Sequence, residues 1–169
     1  MSVVRFYSDP HFGHGNMAVK RGFSHSDEMN EHIISEWNKV VGKRDVTYIL
    51  GDITMEKSSF YPLLNRLNGL KKVILGNHDE PQHITELLKY VNSVCGMTKY
   101  KDKASGKSAF LTHCPIHPTE LDYRVSFNIH GHVHENTLTD DRYINVSAEA
   151  LDYSPRTFKE LTYNLDIPW

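Results

Sequence analysis

Short runs of β-branched and aromatic residues recur along the chain, most of them closed by a glycine, an aspartate or a histidine. Between them lie stretches whose apolar positions fall three or four apart, so strands and helices alternate. Val3 to Ser8 predicts a first strand, ending at Asp9-Pro10-His11-Phe12-Gly13-His14. The segment through Gly15, Asn16, Lys20, Arg21 and Gly22 has little periodicity and reads as loop. From Asp27 to Val41, the residues Met29, Ile33, Trp37 and Val40 share one face. Asp27 and Glu28 sit in the first turn and Gly42 stands where a C-cap glycine belongs, so a helix is expected. Asp45 to Leu50 predicts a second strand running into Gly51-Asp52. A helix over Ser59 to Asn68 follows, with Phe60, Leu63, Leu64 and Leu67 as its stripe, Pro62 in its first turn and Gly69 at its end. Lys72 to Leu75 predicts a third strand, and Pro81 opens a helix carrying Ile84, Leu87, Leu88 and Val91.

The second half changes character. Val94 to Lys101 and Lys107 to Thr112 read as paired strands around an Ala104-Ser105-Gly106 turn. Phe127 to His130 and Arg142 to Val146 are further strands, and Thr157 to Leu161 begins a short terminal helix. The expectation is one α/β domain over residues 1–169, with βαβ units first and a more antiparallel half after them. No apolar run approaches the ~20 residues of a membrane-spanning helix, and no signal peptide precedes the first strand. Cys95 and Cys114 make no disulfide framework, so a cytoplasmic location is expected. A net charge of −2 gives no global field that would draw in nucleic acid or a membrane. The local cluster Lys99, Lys101, Lys103 and Lys107 reads as the charged edge of a hairpin, with contact to a phosphate backbone left open.

Histidine changes the picture. The chain has 11 of them, and most are clustered. Asp9/His11, Asp52, Asn77/His78, His113 and His132/His134 all follow predicted strands at the same end of them. In open α/β sheets that edge is where ligands bind. Any one such residue reads as a solvated turn, but five strand ends so equipped do not. Together they form a nitrogen- and oxygen-donor set without thiolate, suited to Mn²⁺, Fe²⁺ or Zn²⁺, and too large for one tetrahedral site. Two adjacent cations fit it better.

The order Asp9-x-His11, Gly51-Asp52, Gly76-Asn77-His78-Asp79, His113, Gly131-His132-x-His134 resembles the calcineurin-like metallophosphoesterases, over residues 8 to about 150. The ending Tyr143-Ile144-Asn145-Val146-Ser147-Ala148-Glu149 is similar to small bacterial-type members. The resemblance implies a two-sheet α/β/β/α sandwich. It implies that Asp9, His11 and His134 bind one metal, that Asn77, His113 and His132 bind the other, and that Asp52 bridges. The two ions would be divalent, with Mn²⁺ first and Fe²⁺, Zn²⁺, Ni²⁺ or Co²⁺ as alternatives. His78 is then the implied general acid or phosphate contact, with Asp79 orienting its ring.

The chemistry agrees with these residues. Two cations some ~3.5–4 Å apart neutralise a phosphoester and make hydroxide available near pH 7, and an imidazolium at His78 could protonate the leaving alkoxide. The expected function is hydrolysis of a phosphodiester or phosphomonoester, on a small nucleotide-like substrate. The segment Gly51-Asp52-Ile53-Thr54-Met55-Glu56-Lys57 lacks the arginine of the Ser/Thr protein phosphatases, which argues against that branch. A non-catalytic scaffold that keeps the fold for protein contacts is the competing reading, and it would predict eroded ligands. With that arginine missing, His14, Asn77 and Arg21 are the candidate substrate contacts, with Asn16, Lys20 and His117 as further loop polars.

Overall fold

In the computed structural model, which describes residues 2–163 and 165, the strand β1 (Val4–Tyr7) is buried on both faces. Phe6 points toward a second sheet, where its ring meets Tyr100 at 5.1 Å. Tyr7, one residue on and therefore on the opposite face, meets Trp37 at 5.5 Å. The helix α1 (Gly15–Lys20) and the longer α2 (Ser26–Val40) follow. α2 forms because Met29, Ile33 and Trp37 stack along one face, and each is at most 1% exposed. Burial of such side chains contributes roughly 1.5–3 kcal/mol each. The His25 ring caps the helix by accepting from the Glu28 N–H at 3.2 Å.

The remaining strands are β2 (Val46–Ile49), β3 (Leu70–Ile74), β4 (Ser93–Cys95), β5 (Thr98–Lys101), β6 (Ser108–Leu111), β7 (Phe127–His130), β8 (Tyr143–Asn145) and β9 (Arg156–Thr157). One sheet runs β4-β3-β2-β1-β9, parallel except for β9. The other runs β5-β6-β7-β8. Helices flank them, giving the α/β sandwich of two packed sheets that the resemblance implies. Ser8 and Ser147 pair where the two sheets meet. Because β1, β2, β3, β6, β7 and β8 run parallel within their sheets, their C-terminal ends gather the loops that bear the candidate donors.

Several elements differ from expectation. The supposed loop after the first strand contains α1, anchored by the fully buried Ala18 and too short to show periodicity. The run 94–101 is two strands. β4 completes the first sheet beside β3, the chain crosses over at Gly96-Met97, and β5 begins the second. The second half is mostly parallel rather than antiparallel, since only β5–β6 is a hairpin. Ser58–Arg66 is a 3₁₀ helix with Pro62 inside it, whose missing N–H and ring disfavour a regular α-helix. Pro81–His83 is a 3₁₀ turn leading to a single turn α3 (Ile84–Leu87), which leaves Leu88 about half exposed. Gly42 is no left-handed C-cap. Val41 ends α2 in extended geometry, and the Gly42 N–H bonds the Asp45 carboxylate at 2.9 Å. The terminal helix α4 (Phe158–Thr162) starts from a Thr157–Glu160 capping box. Among the described residues no helix is long and apolar enough to cross a membrane.

Candidate metal centre

Each donor sits two to four residues beyond a strand end, and main-chain bonds lock the donor loops together. Asp9 N–H donates to Gly51 O at 3.1 Å, His11 N–H to Asp52 O at 3.1 Å and Gly131 N–H to His113 O at 2.9 Å. Two glycines permit this closeness. A Cβ on Gly76 would lie 2.2 Å from Asp52 Oδ1, and one on Gly131 would lie 2.0 Å from Ser8 Oγ. Gly76 thus serves close approach and not, as its place after the strand suggests, a left-handed turn.

Asp9, His11 and His134 present ligand atoms all within 4.8 Å of one another, as do Asp9, Asp52 and His113. Asp52 Oδ2 lies between two rings, 3.8 Å from His11 Nε2 and 3.4 Å from His113 Nε2. Asn77 Oδ1 is 2.9 Å from the same His113 nitrogen, and the His132 ring is 5.0 Å from the His113 ring. All seven expected donors therefore converge. Cys114, absent from the expected set, joins His113 and His132 in a third such group, so a thiol stands at the exposed rim.

Two features fit this arrangement to a cation. Asp9 Oδ1 and both nitrogens of His11 are buried without a hydrogen-bond partner among the described residues. Such a group costs about 1–3 kcal/mol, and native proteins leave few of them. In addition, Asp9, His11, Asp52, His132 and His134 all have φ between 49° and 69°. That left-handed region costs a non-glycine residue about 1–3 kcal/mol, and such strain concentrates at functional sites.

Electrostatics follow burial and partners. Burial pushes the Asp9 carboxyl up and brings His11 down to about 3, so the His11 ring is neutral and has a lone pair to give. Burial alone would also raise Asp52, but the hydrogen bond and charge of His113 outweigh it and hold the group low. Burial disfavours a charged His113, yet the Asp52 carboxylate brings that ring up to about 9. The carboxylates that keep a proton on His113 would favour a cation in its place.

No protein-family model matches the chain. It is 33% identical over 172 residues to the uncharacterized protein MJ1445 of Methanocaldococcus jannaschii, covering 92% of this chain and 88% of that one. The chain belongs to the MJ1445 family. The gene 66 protein of Mycobacterium phage D29 is 31% identical over 180 residues, with 89% of each chain covered. Among solved structures, the protein of unknown function AQ665 from Aquifex aeolicus superposes with a TM-score of 0.76 at 26% identity, over 96% of this chain and 99% of that one. A novel archaeal phosphodiesterase superposes with a TM-score of 0.50 at 17% identity, over 85% and 81%, a likeness of fold alone.

In this member of the MJ1445 family two expected roles are corrected. Asp79 does not orient the His78 ring. Its Oδ2 accepts from the N–H groups of Asp52 and Gly76, both at 2.8 Å, and its Oδ1 from Ile53 N–H at 3.1 Å, so it clamps two donor loops together. The His78 ring turns instead to Glu56, with Nδ1 3.1 Å from Oε1. Arg21 does not face a substrate. Its side chain is buried, with Nε donating to Glu149 Oε1 at 2.7 Å and the terminal nitrogens to Asp9 O at 2.7 Å and Pro10 O at 3.1 Å. It braces the strained Asp9–His11 turn from behind.

Glu149 also reaches His134 Nδ1 at 3.2 Å, which fixes that ring. Burial would raise its carboxyl, but His134 and Arg21 hold it at about 2. The sequence assigns no role to Glu149, which stands in the Tyr143–Glu149 ending, or to Glu56. Only Glu56's departure from the phosphatase motif marked it. His14 is half-buried with its ring 5.8 Å from that of His11, and burial together with the charges of His78 and Lys57 lowers its pKa. His117 is turned to its own loop, capping residues 118–120 through Thr119, and Lys20 pairs with Glu135 at 3.0 Å on the surface.

Proposed function

We propose that residues 1–169 form one metal-dependent phosphoesterase domain acting on a small, nucleotide-like phosphodiester or phosphomonoester in the cytoplasm. The observation that carries this is the cluster of buried donors without partners among the described residues, Asp9 Oδ1 and the His11 nitrogens, set among strained aspartates and histidines at the strand ends. Asp9, His11 and His134 would hold one divalent cation and Asn77, His113 and His132 a second, with Asp52 between them. Mn²⁺ is the first choice because imidazole-rich sites disfavour Mg²⁺, with Fe²⁺, Zn²⁺, Ni²⁺ and Co²⁺ as alternatives. When bound, such ions neutralise phosphoryl oxygens and acidify water.

The chain's own groups do the rest. Glu56 holds His78 by Nδ1, which leaves Nε2 to give a proton to the leaving oxygen. The His78 N–H donates to Asp52 Oδ1 at 3.0 Å, tying the acid's backbone to the carboxylate that would stand between the two cations. His14 supplies a donor to a phosphoryl oxygen beyond reach of the cations. The test is elemental analysis together with a screen of aryl and alkyl diesters and monoesters, with Mn²⁺ and after chelation. Stoichiometric metal and chelator-sensitive hydrolysis are expected. A metal-free sample with undiminished hydrolysis, or a metal-loaded one without any, refutes the proposal.

A further inference from the structure

Beside the metal centre lies a cleft of about 250 Å³ lined by Phe12, Gly13, His14, Asn16, Met55 and Lys57. None of its lining residues is a candidate metal ligand. His14 belongs to both compartments, since its ring lies 5.8 Å from that of His11. We infer that this cleft binds a second phosphate on the substrate, with Lys57 as its cationic anchor and His14 shared between the two phosphates. The inference rests on the phosphoesterase reading and adds a substrate class to it, namely phosphoesters that carry another phosphate close to the scissile one.

Charge comes first. The Lys57 ammonium has no ion pair or hydrogen bond among the described residues. Its acidic neighbour Glu56 is held in a left-handed conformation, φ 57°, with its carboxylate on His78. The turn thus points its negative group at the acid and leaves its positive group on the cleft. A cation at the mouth of a groove recognises an anion, and phosphate is the anion that the proposed function places at the neighbouring centre.

Rigidity comes second. The two walls come from different loops, stitched by Phe12 N–H to Ile53 O at 2.9 Å and by the pairing of Phe12 with Thr54. Lys57 N–H donates to Thr54 Oγ1 at 3.2 Å, and Gly13 N–H to Asn30 Oδ1 at 3.0 Å. The Phe60 ring lies 2.3 Å from where a Cβ at Gly13 would stand, and Gly13 is in left-handed geometry at φ 76°, so the ring holds this wall close against its neighbour. A preorganised site of this kind loses little entropy on binding.

Size comes third. Pockets for whole small molecules run about 300–1,000 Å³. This cleft is smaller, so it takes an end group of the substrate and not the entire molecule.

The experiment compares a p-nitrophenyl nucleotide with the same compound carrying a second phosphate on its ribose, using the Mn²⁺-loaded protein. The second compound should have a kcat/KM about tenfold higher at low salt, mostly through KM, as one added charge-assisted hydrogen bond gives. The advantage should shrink as ionic strength rises. In Lys57→Met the ratio should fall to about one, and in Lys57→Arg it should persist. Equal kcat/KM for the two compounds in the parent protein, or a ratio unmoved in Lys57→Met, overturns the second-phosphate site while leaving the phosphoesterase reading intact. Failure to hydrolyse either compound overturns both.

Discussion

Replacing Arg21 by alanine separates a brace from a substrate contact. The guanidinium is about 1% exposed and spends its donors on Glu149 Oε1, Asp9 O and Pro10 O. Among the described residues, removing it leaves Glu149, whose Oε2 already lacks a partner, with His134 to balance a buried negative charge. Breaking a buried ion pair in this way costs about 3–5 kcal/mol. It also frees the carbonyls that hold Asp9 and His11 in left-handed geometry. Against a typical stability of ~5–15 kcal/mol that is a large share. At about 2–4 °C per kcal/mol for a chain of this size, the midpoint of thermal unfolding should fall by roughly 6–20 °C. Added Mn²⁺ should raise the midpoint of the parent protein by mass action, and raise that of the variant less, because the Asp9 turn is no longer preformed. Arg21→Lys should recover little, since one ammonium cannot reach three acceptors that the planar fork spans. Thermal melts with and without Mn²⁺, beside steady-state kinetics, decide the matter. A midpoint within 2 °C or so of the parent with a raised KM would refute the bracing role and restore Arg21 as a substrate contact.

Four further outcomes are expected. Asn77→Ala should lower metal stoichiometry, whereas His78→Ala should keep it and slow alkyl esters far more than aryl esters; equal slowing of both classes would remove His78 as the acid. Gly131→Ala should abolish metal binding and destabilise the fold, because its Cβ would lie 2.2 Å from Asp9 Oδ2, and calorimetric titration with Mn²⁺ reads this directly. In the chelated protein Glu149, held at about 2 against an ordinary glutamate value near 4.5, should add stability that is complete above about pH 4.5 and declines as pH falls toward 2; Glu149→Gln should flatten that part of the denaturation profile, and an unchanged slope would count against it. Maleimide labelling of the exposed Cys114, grouped with His113 and His132, should impair Mn²⁺ binding, whereas Cys114→Ser, still labelled at the exposed Cys95, should bind Mn²⁺ equally with and without the reagent; binding that survives full labelling would place the thiol outside the centre.

What the sequence determined by itself has local causes. A strand declares itself through a run such as Val73-Ile74, and a donor that follows it within a few residues must lie near that strand's end, so the convergence of Asp9, His11, Asp52, Asn77, His113, His132 and His134 was legible. The buried face of α2 was legible for the same reason, since Met29, Ile33 and Trp37 recur every four residues. Tertiary structure alone decided the rest. Pairing partners are nonlocal, so nothing within residues 94–101 reveals that β4 belongs beside β3 and β5 beside β6. The direction of a charged loop side chain is equally hidden, because water and a buried counter-charge compete for it. Asp79 turned away from His78 because two N–H groups from the Asp52 loop and one from its own loop, at Gly76, were waiting, and Glu56 took its place. Arg21 turned inward because Glu149, 128 residues along the chain, meets it there, and only that encounter offsets the desolvation of its charge.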